Sequence, residues 1–291
     1  MLRHFHPIGP PTHLGGSFLK VFPFFLMLKD LVRFKMSIAL MCGLMSFALV
    51  ATALAALPYA APAQQSNPQK EYAACMTLAR AVPDQGFKNA TAWQGVGGGD
   101  AARHCATVSL FGLGQYTQTT KRLEKLAENA QASAAFKAQI LGQTGLAWFL
   151  AGHPKKANSA LTTAIKLDGT NSLLLIDRAQ VAAARQAYGN AIQDLDKALE
   201  MNPNSVDALV FRAAAHRQLK DDRAALRDIE KALSLDKSHP EGLLERGILR
   251  RLQKDDAGAR TDWLDVIRLA PDTPAAVSAQ ANLQKLDGGL K

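Results

Sequence analysis

Cysteine and histidine, on which many catalytic and metal sites depend, are scarce in this chain. Its 291 residues include 3 Cys and 7 His. His104 and Cys105 are neighbours, but adjacent residues on a helix point about 100° apart, so their side chains do not converge. His153, His216 and His239 fall at unrelated spacings. The sequence therefore predicts no catalytic residues, no metal ligands and no enzymatic activity.

The chain also lacks a phosphate-binding loop. The run Gly97-Gly98-Gly99 has neither the lysine nor the preceding apolar strand that such a loop requires. A flexible connector between helices is the better interpretation of this run. We therefore expect no cofactor.

Acidic residues are fewer than basic ones, and the formal net charge is +9. Residues 1–63 hold five basic residues and one acidic residue, so the rest of the chain carries only +5. Much of the basic excess thus belongs to the N-terminal segment. This distribution weakens the case for nucleic acid as a partner, and none is expected.

The N-terminal 63 residues have the pattern of an export signal. We interpret the aromatic, proline-broken residues 1–33 as an extension that begins upstream of a start at Met27. From there Lys29, Arg33 and Lys35 precede an apolar run at residues 38–57 and the small-x-small site at residues 61–63. This order is typical of a secretory signal peptide. The apolar run is also about long enough for an uncleaved membrane anchor, which is the alternative.

Both alternatives place the following residues on the far side of a membrane, because the basic residues stay inside. We expect a bacterial periplasm, with the protein soluble after cleavage near Ala63 or anchored by residues 38–57. Contact with a membrane is expected only through this segment, if it stays uncleaved. A short polar linker follows at residues 64–69.

One pattern then repeats every 34 residues between positions 138 and 273. A leucine is followed four residues later by a small residue, and further on an alanine is followed four residues later by a large apolar residue. The columns are Leu141, Leu175, Leu209 and Leu243; Gly145, Ala179, Ala213 and Gly247; Ala157, Ala191, Ala225 and Ala259; and Leu161, Leu195, Ile229 and Trp263. A fixed period of this length indicates stacked structural units.

These columns resemble the tetratricopeptide repeat, a helix–turn–helix unit. The resemblance covers roughly half of the chain and implies an all-α fold, a right-handed α-solenoid of stacked antiparallel helix pairs. Four regular units are expected, at residues 138–171, 172–205, 206–239 and 240–273. Small residues let the two helices of a unit approach closely, and stacked neighbours supply the core that one unit lacks.

Less regular helices flank the four units. Residues 70–133 keep helical periodicity and resemble two degenerate helix pairs, with a few extra residues that disturb the register before Ala138. Residues 274–287 form one amphipathic helix without a partner, which is typical of the helix that caps a solenoid.

The resemblance implies a non-enzymatic scaffold that binds a protein or peptide on its concave face, through the first helix of each unit. Apolar side chains in the earlier units pass to arginines in the later ones, so we expect an extended peptide with hydrophobic anchors and an acidic end. The candidate residues are Leu146, Phe149, Gln180, Arg212, Arg217, Ile248, Arg250 and Arg251, with Ala183 and Ala214 between them.

Other interpretations of this surface remain open. The arginines could be solvated side chains on an idle surface, or the protein could be an accessory subunit of an envelope assembly or enzyme complex that uses its convex face. A chaperone adaptor is not supported, because Ile176, Gln180 and Val210 stand where some relatives place lysines and asparagines that clamp a carboxylate.

Cys75 and Cys105 are the only cysteines after the expected cleavage. In an oxidising compartment such a pair on neighbouring helices can form a disulfide, which would link the least regular end of the array. The alternative is a pair of buried free cysteines that behave as small apolar residues.

Overall fold

The computed structural model describes residues 67–128 and 133–288, which form helices and no strand. The predicted all-α fold is therefore confirmed, and consecutive helices pack against each other in pairs, as the predicted solenoid with a capping helix requires. The helices are α1 (Pro68–Ala81), α2 (Pro83–Gly95), α3 (Gly99–Gly112), α4 (Tyr116–Ala127), α5 (Ala134–Leu150), α6 (Pro154–Leu167), α7 (Ser172–Ala184), α8 (Tyr188–Met201), α9 (Val206–Gln218), α10 (Asp222–Leu235), α11 (Pro240–Leu252), α12 (Asp256–Leu269) and α13 (Pro274–Gly288).

The predicted extension, export signal and cleavage site at residues 1–63 lie outside the described residues. Within the part of the chain that is described, no helix has the length and apolar character needed to cross a bilayer.

Two helices begin earlier than expected because a side chain caps them, and α3 begins at Gly99, inside the predicted glycine connector. Helix α1 begins at Pro68, inside the segment predicted as a linker, because the Asn67 side chain accepts hydrogen bonds from the Gln69 and Lys70 amides and proline suits the first helical turn. Helix α5 begins at Ala134, one turn before the first regular unit, because the Ser133 hydroxyl accepts from the Phe136 amide.

A residue in the left-handed conformation follows each first helix from α3 to α11 and turns the chain into the second helix of the pair. Only Gly adopts this conformation without cost, yet the later units use Gln and Lys. The five residues and their φ angles are Gly114 (72°), Gly152 (81°), Gln186 (60°), Lys220 (64°) and Lys254 (67°). The last four are 34 residues apart, whereas Gly114 precedes Gly152 by 38, so four extra residues separate the second and third pairs.

The first helices form the inner layer of the array. Helix α5 contacts α7, α7 contacts α9, α9 contacts α11 and α11 contacts α13, whereas second helices of successive described pairs make no comparable approach. Elements on the inside of a curve lie closer together, so the first helices line the concave side. Helices α3 and α5 approach each other less closely than the other neighbouring first helices, at the point where the four extra residues occur.

Small residues set the distance between the two helices of a unit. A Cβ at Gly145 would lie 2.5 Å from Cγ of Leu161, and one at Gly247 would lie 2.4 Å from Nε1 of Trp263. Both distances are far shorter than a normal contact, so these glycines are required by the large side chain opposite. The small and large columns of the repeat are thus one packing device, fully buried between first and second helices.

Candidate functional site

The predicted partner-binding residues lie along the inner layer. We call Leu146, Phe149, Gln180, Ala183, Ala214, Arg217, Ile248 and Arg251 the first-helix stripe. All are half-buried except Arg251, which is exposed. Their spacing places them on one face of α5, α7, α9 and α11, so the structure brings them together on a single surface.

The arginines of this region are already paired within the array. Arg217 donates from Nε and Nη2 to the two carboxylate oxygens of Glu245, and Arg251 contacts Asp256 with an Nη1–Oδ1 distance of 2.9 Å. Glu245 is only 6% exposed. The charge of Arg217 is therefore compensated by a buried carboxylate, and little of it is available for an acidic ligand.

Arg212 and Arg250 point to the second helices. Arg212 donates to both carboxylate oxygens of Asp228, at 2.8 and 2.7 Å, and to Oδ1 of Asp196 at 2.8 Å. These hydrogen bonds raise the pKa of the Arg212 guanidinium. Arg250 donates to Oδ2 of Asp262 at 2.8 Å. Both residues were predicted to bind a partner, and the structure places both in ion pairs between helices of the array.

The Arg212 pair is one rung of a ladder that sequence reasoning missed. Arg178 and Asp194, Arg212 and Asp228, and Arg246 and Asp262 each form a two-pronged ion pair between the first and second helix of one unit, with the closest N–O distances at 2.7, 2.7 and 2.6 Å. The three aspartates are at most 7% exposed. The ladder was visible in the sequence as an Arg column and an Asp column, each with the 34-residue period and 16 residues apart.

At the other end of the inner layer, a hydrogen-bonded chain links three first helices. The Tyr72 hydroxyl of α1 lies 2.5 Å from Nδ1 of His104 in α3, and Nε2 of His104 lies 2.7 Å from Oε1 of Gln143 in α5. His104 is fully buried, and burial lowers the pKa of its imidazole. A neutral ring that accepts from Tyr72 and donates to Gln143 satisfies both nitrogens. His104 therefore has a structural role.

A small open cavity lies beside this chain, between α3, α4 and α5. Its volume of about 20 Å³ is enough for one small group. The amide nitrogen of Gln143 is buried next to it and has no hydrogen-bond partner in the described structure. The lining residues are Thr107, Val108, Phe111, Thr119, Leu123, Gln143 and Leu146. Leu146, a predicted binding residue, therefore belongs both to the first-helix stripe and to the lining of this cavity.

One carboxylate of α5, α7, α9 and α11 stands apart from the paired ones on these four helices. Asp177 in α7 is half-buried, and it has no hydrogen bond or ion pair with any residue in the described ranges. Burial raises the pKa of its carboxyl group to about 7. Sequence reasoning did not select this residue.

Cys75 of α1 and Cys105 of α3 form a disulfide in the structure, with a Cα–Cα distance of 6.1 Å. Both are buried in a small core with Met76, Ala79 and Ala90. The bond therefore joins the first helices of the two irregular pairs. Across residues 67–128 and 133–288, no group of His, Cys, Asp and Glu is arranged to hold a metal ion.

Comparisons with known proteins agree with this architecture. Residues 206–239, which coincide with the third predicted unit, match the family model described as tetratricopeptide repeat. Among solved structures, the PilF protein of Pseudomonas aeruginosa is similar at 16% identity and a TM-score of 0.56, over 75% of this chain and 100% of that one.

Two further solved structures share the fold. A thermophilic TPR protein of Thermus thermophilus is 19% identical with a TM-score of 0.54, over 64% of this chain and 99% of that one. The APC/C hetero-tetramer Cut9–Hcn1 is 16% identical with a TM-score of 0.58, over 74% of this chain and 46% of that one. Identities this low establish a common fold.

Proposed function

We propose that this chain, which matches a tetratricopeptide repeat at residues 206–239 and shares the fold of solved tetratricopeptide-repeat structures, is a non-enzymatic interaction scaffold of the cell envelope that binds an extended protein segment along the first-helix stripe. The observation that carries the proposal is the composition of the inner layer at α5 and α7. There the half-buried side chains of Leu146, Phe149 and Gln180 lie on one surface, next to the cavity beside Gln143.

The character of this surface favours a peptide over a small metabolite. The cavity is too small for a drug-sized ligand, which needs several hundred Å³. An extended segment can instead place one small apolar group in the cavity and satisfy the buried Gln143 amide with a main-chain carbonyl. The paired arginines further along limit the polar contacts that the later units can offer.

The location in the envelope is supported by the sequence pattern of residues 27–63, with basic residues, an apolar run and a small-x-small site in order. N-terminal sequencing of the purified native protein tests this part of the proposal. A mature chain that begins just after Ala63 is the expected result, and a chain retained in the cytoplasm with residues 38–57 intact contradicts it.

Site-specific photocrosslinking tests the binding face. A photoreactive amino acid at Gln180, on the inner helix α7, is expected to yield a discrete adduct in cells, whereas the same residue at Lys197, exposed on the outer helix α8 of the same unit, is not. The two positions belong to one repeat, so expression and folding are matched. Adducts from Lys197 alone would instead favour an accessory subunit that uses the convex face.

A further inference from the structure

Neighbouring first helices face each other through two repeated positions. At the α9–α11 junction these positions hold Arg217 and Glu245, which form the salt bridge described above. The same positions one unit earlier hold Ala183 and Phe211, which are half-buried and pack against the same core. One unit earlier again, at the α5–α7 junction, they hold Phe149 and Asp177.

The packing of α7 confirms that Asp177 lies on the side that faces α5. Leu174, Asp177 and Val181 are spaced by three and four residues and so share one face of the helix. Leu174 and Val181 are buried in a core cluster against which Phe149 packs from α5. A Cβ at Gly142 of α5 would lie 2.6 Å from a Leu174 methyl carbon, so the two helices are close at this junction.

The α5–α7 junction therefore holds a carboxylate without the cation that its repeat-equivalent, Glu245, has. Phe149 stands where Arg217 would supply that cation. Asp177 is half-buried and makes no hydrogen bond or ion pair within the described ranges, and burial alone raises the pKa of its carboxyl. A half-desolvated carboxylate in this position gains more from an added cation than an exposed one does.

We propose that Phe149 and Asp177 form a subsite for a lysine or arginine side chain of the bound segment. This inference rests on the proposed function and specifies its ligand. The carboxylate accepts charge-assisted hydrogen bonds from the guest cation, and the Phe149 ring offers its face to the same group. The guest takes the position that the Arg217 guanidinium occupies one junction further on beside Glu245.

The ion pairs of the structure favour a basic ligand, whereas the sequence analysis predicted a peptide with an acidic end. The arginines that suggested an acidic ligand are each paired with a carboxylate of the array. Among the described carboxylates of α5, α7, α9 and α11, Asp177 is the one without a hydrogen bond or ion pair. We therefore expect the bound segment to combine two residues. An apolar residue lies near Leu146, and a basic residue close to it in the segment contacts Asp177.

Selection from a phage-displayed library of short random peptides, with the full chain as bait, tests the proposal without knowledge of the natural partner. Captured peptides are expected to combine an apolar residue with a nearby Lys or Arg. Their affinity should fall by about tenfold or more for Asp177→Asn, since a charge-assisted hydrogen bond to a partly buried group is lost. The matched control, Glu200→Gln on the exposed face of α8, should leave affinity unchanged.

Two further variants examine the geometry. Phe149→Arg places a cation where Arg217 stands in the later junction, so an internal pair with Asp177 should form and peptide binding should be lost. Asp177→Lys should restore binding to captured peptides whose Lys is replaced by Glu. Recovery by this charge exchange supports direct contact, and equal binding of both peptides to Asp177→Lys contradicts it.

The experiment separates failure of the subsite from failure of the proposed function. Some peptides could bind Asp177→Asn as tightly as the wild type and yet fail to bind Leu146→Ser. That result overturns the cation subsite and leaves the first-helix stripe as the binding surface. Peptides indifferent to both changes, or a library with no enriched sequences, overturn both. An enrichment of acidic residues whose binding survives Asp177→Asn would restore the polarity suggested by the arginines.

Discussion

The irregular pairs α1–α4 and the regular repeats α7–α12 are held together by different means. In α7–α12 one device recurs, an Arg–Asp rung between the helices of each unit, beside columns of small residues. The first regular unit, α5–α6, keeps the small residues but has Thr144 and Ala160 at the rung positions. In the irregular pairs neither helix pair has such a rung among its described residues. Instead a disulfide joins α1 to α3, and the buried His104 links both to α5.

This difference between the two regions follows from the 34-residue period. A contact that depends on two side chains 16 residues apart can be copied from unit to unit only while the register is kept. Four extra residues before α5 break that register. On the other side of the break, the disulfide and the hydrogen bonds of His104 each occur once and are not repeated from pair to pair. In a solenoid each unit contacts only its neighbours, so the two regions should respond separately to changes.

Removal of the disulfide is expected to have the largest effect. Cys75 and Cys105 are 30 residues apart, and a crosslink of that span lowers the entropy of the unfolded chain by an amount worth about 3–4 kcal/mol. The double variant Cys75→Ser, Cys105→Ser should lose hydrogen-exchange protection in α1–α3, while α7–α12 keep theirs.

A reducing agent should reproduce this loss in the wild type and add nothing in the double variant, which serves as the control. Equal protection of α1–α3 in the oxidised and reduced wild type would show that the core around Met76 and Ala90 suffices without the bond.

Asp262→Asn is the matching change in the regular repeats. Asp262 is 1% exposed and accepts hydrogen bonds from both Arg246 and Arg250. Removing one member of a buried ion pair leaves the other unpaired, at a cost of about 3–5 kcal/mol. Because both arginines are partly exposed, we expect about 2–3 kcal/mol, measured as reduced exchange protection in α11–α13.

Asp265→Asn on the same helix is the control for this change. Asp265 pairs with Arg268 on the surface of α12, and exposed pairs contribute less than about 1 kcal/mol. If both variants behave alike, the rung does not stabilise the unit. Loss of protection in α1–α3 would contradict the independence of the two regions.

The same contrast explains what could be predicted from the sequence. The solenoid and its regular units follow from columns that repeat, since Leu161 or Ala191 has the same neighbours wherever the period holds. The rungs were equally visible as columns and were missed because only apolar columns were searched. Asp177 could not be found this way: its role depends on Phe149, a different residue at a different position of the neighbouring unit.

The smallest expected effect is the dependence of stability on pH, which should have opposite sign in the two regions. His104 is buried with a lowered pKa, so in the window between its folded value and 6.5 the unfolded chain binds more protons, and α1–α4 lose stability as the pH falls below about 6.5. Asp177 has a raised pKa of about 7. Its contribution is complete below about pH 4 and is lost as the pH rises through 7.

Hydrogen exchange at matched pH values can separate the two contributions by helix, after correction for the intrinsic rate. Asp177→Asn should stabilise α7 by about 1–2 kcal/mol at pH 8 and have little effect near pH 4. A peptide that brings a cation to Asp177 should abolish the difference at pH 8, because the paired carboxylate no longer favours protonation. A stabilisation of α7 that is the same at both pH values would show that desolvation of the Asp177 charge is not its cause.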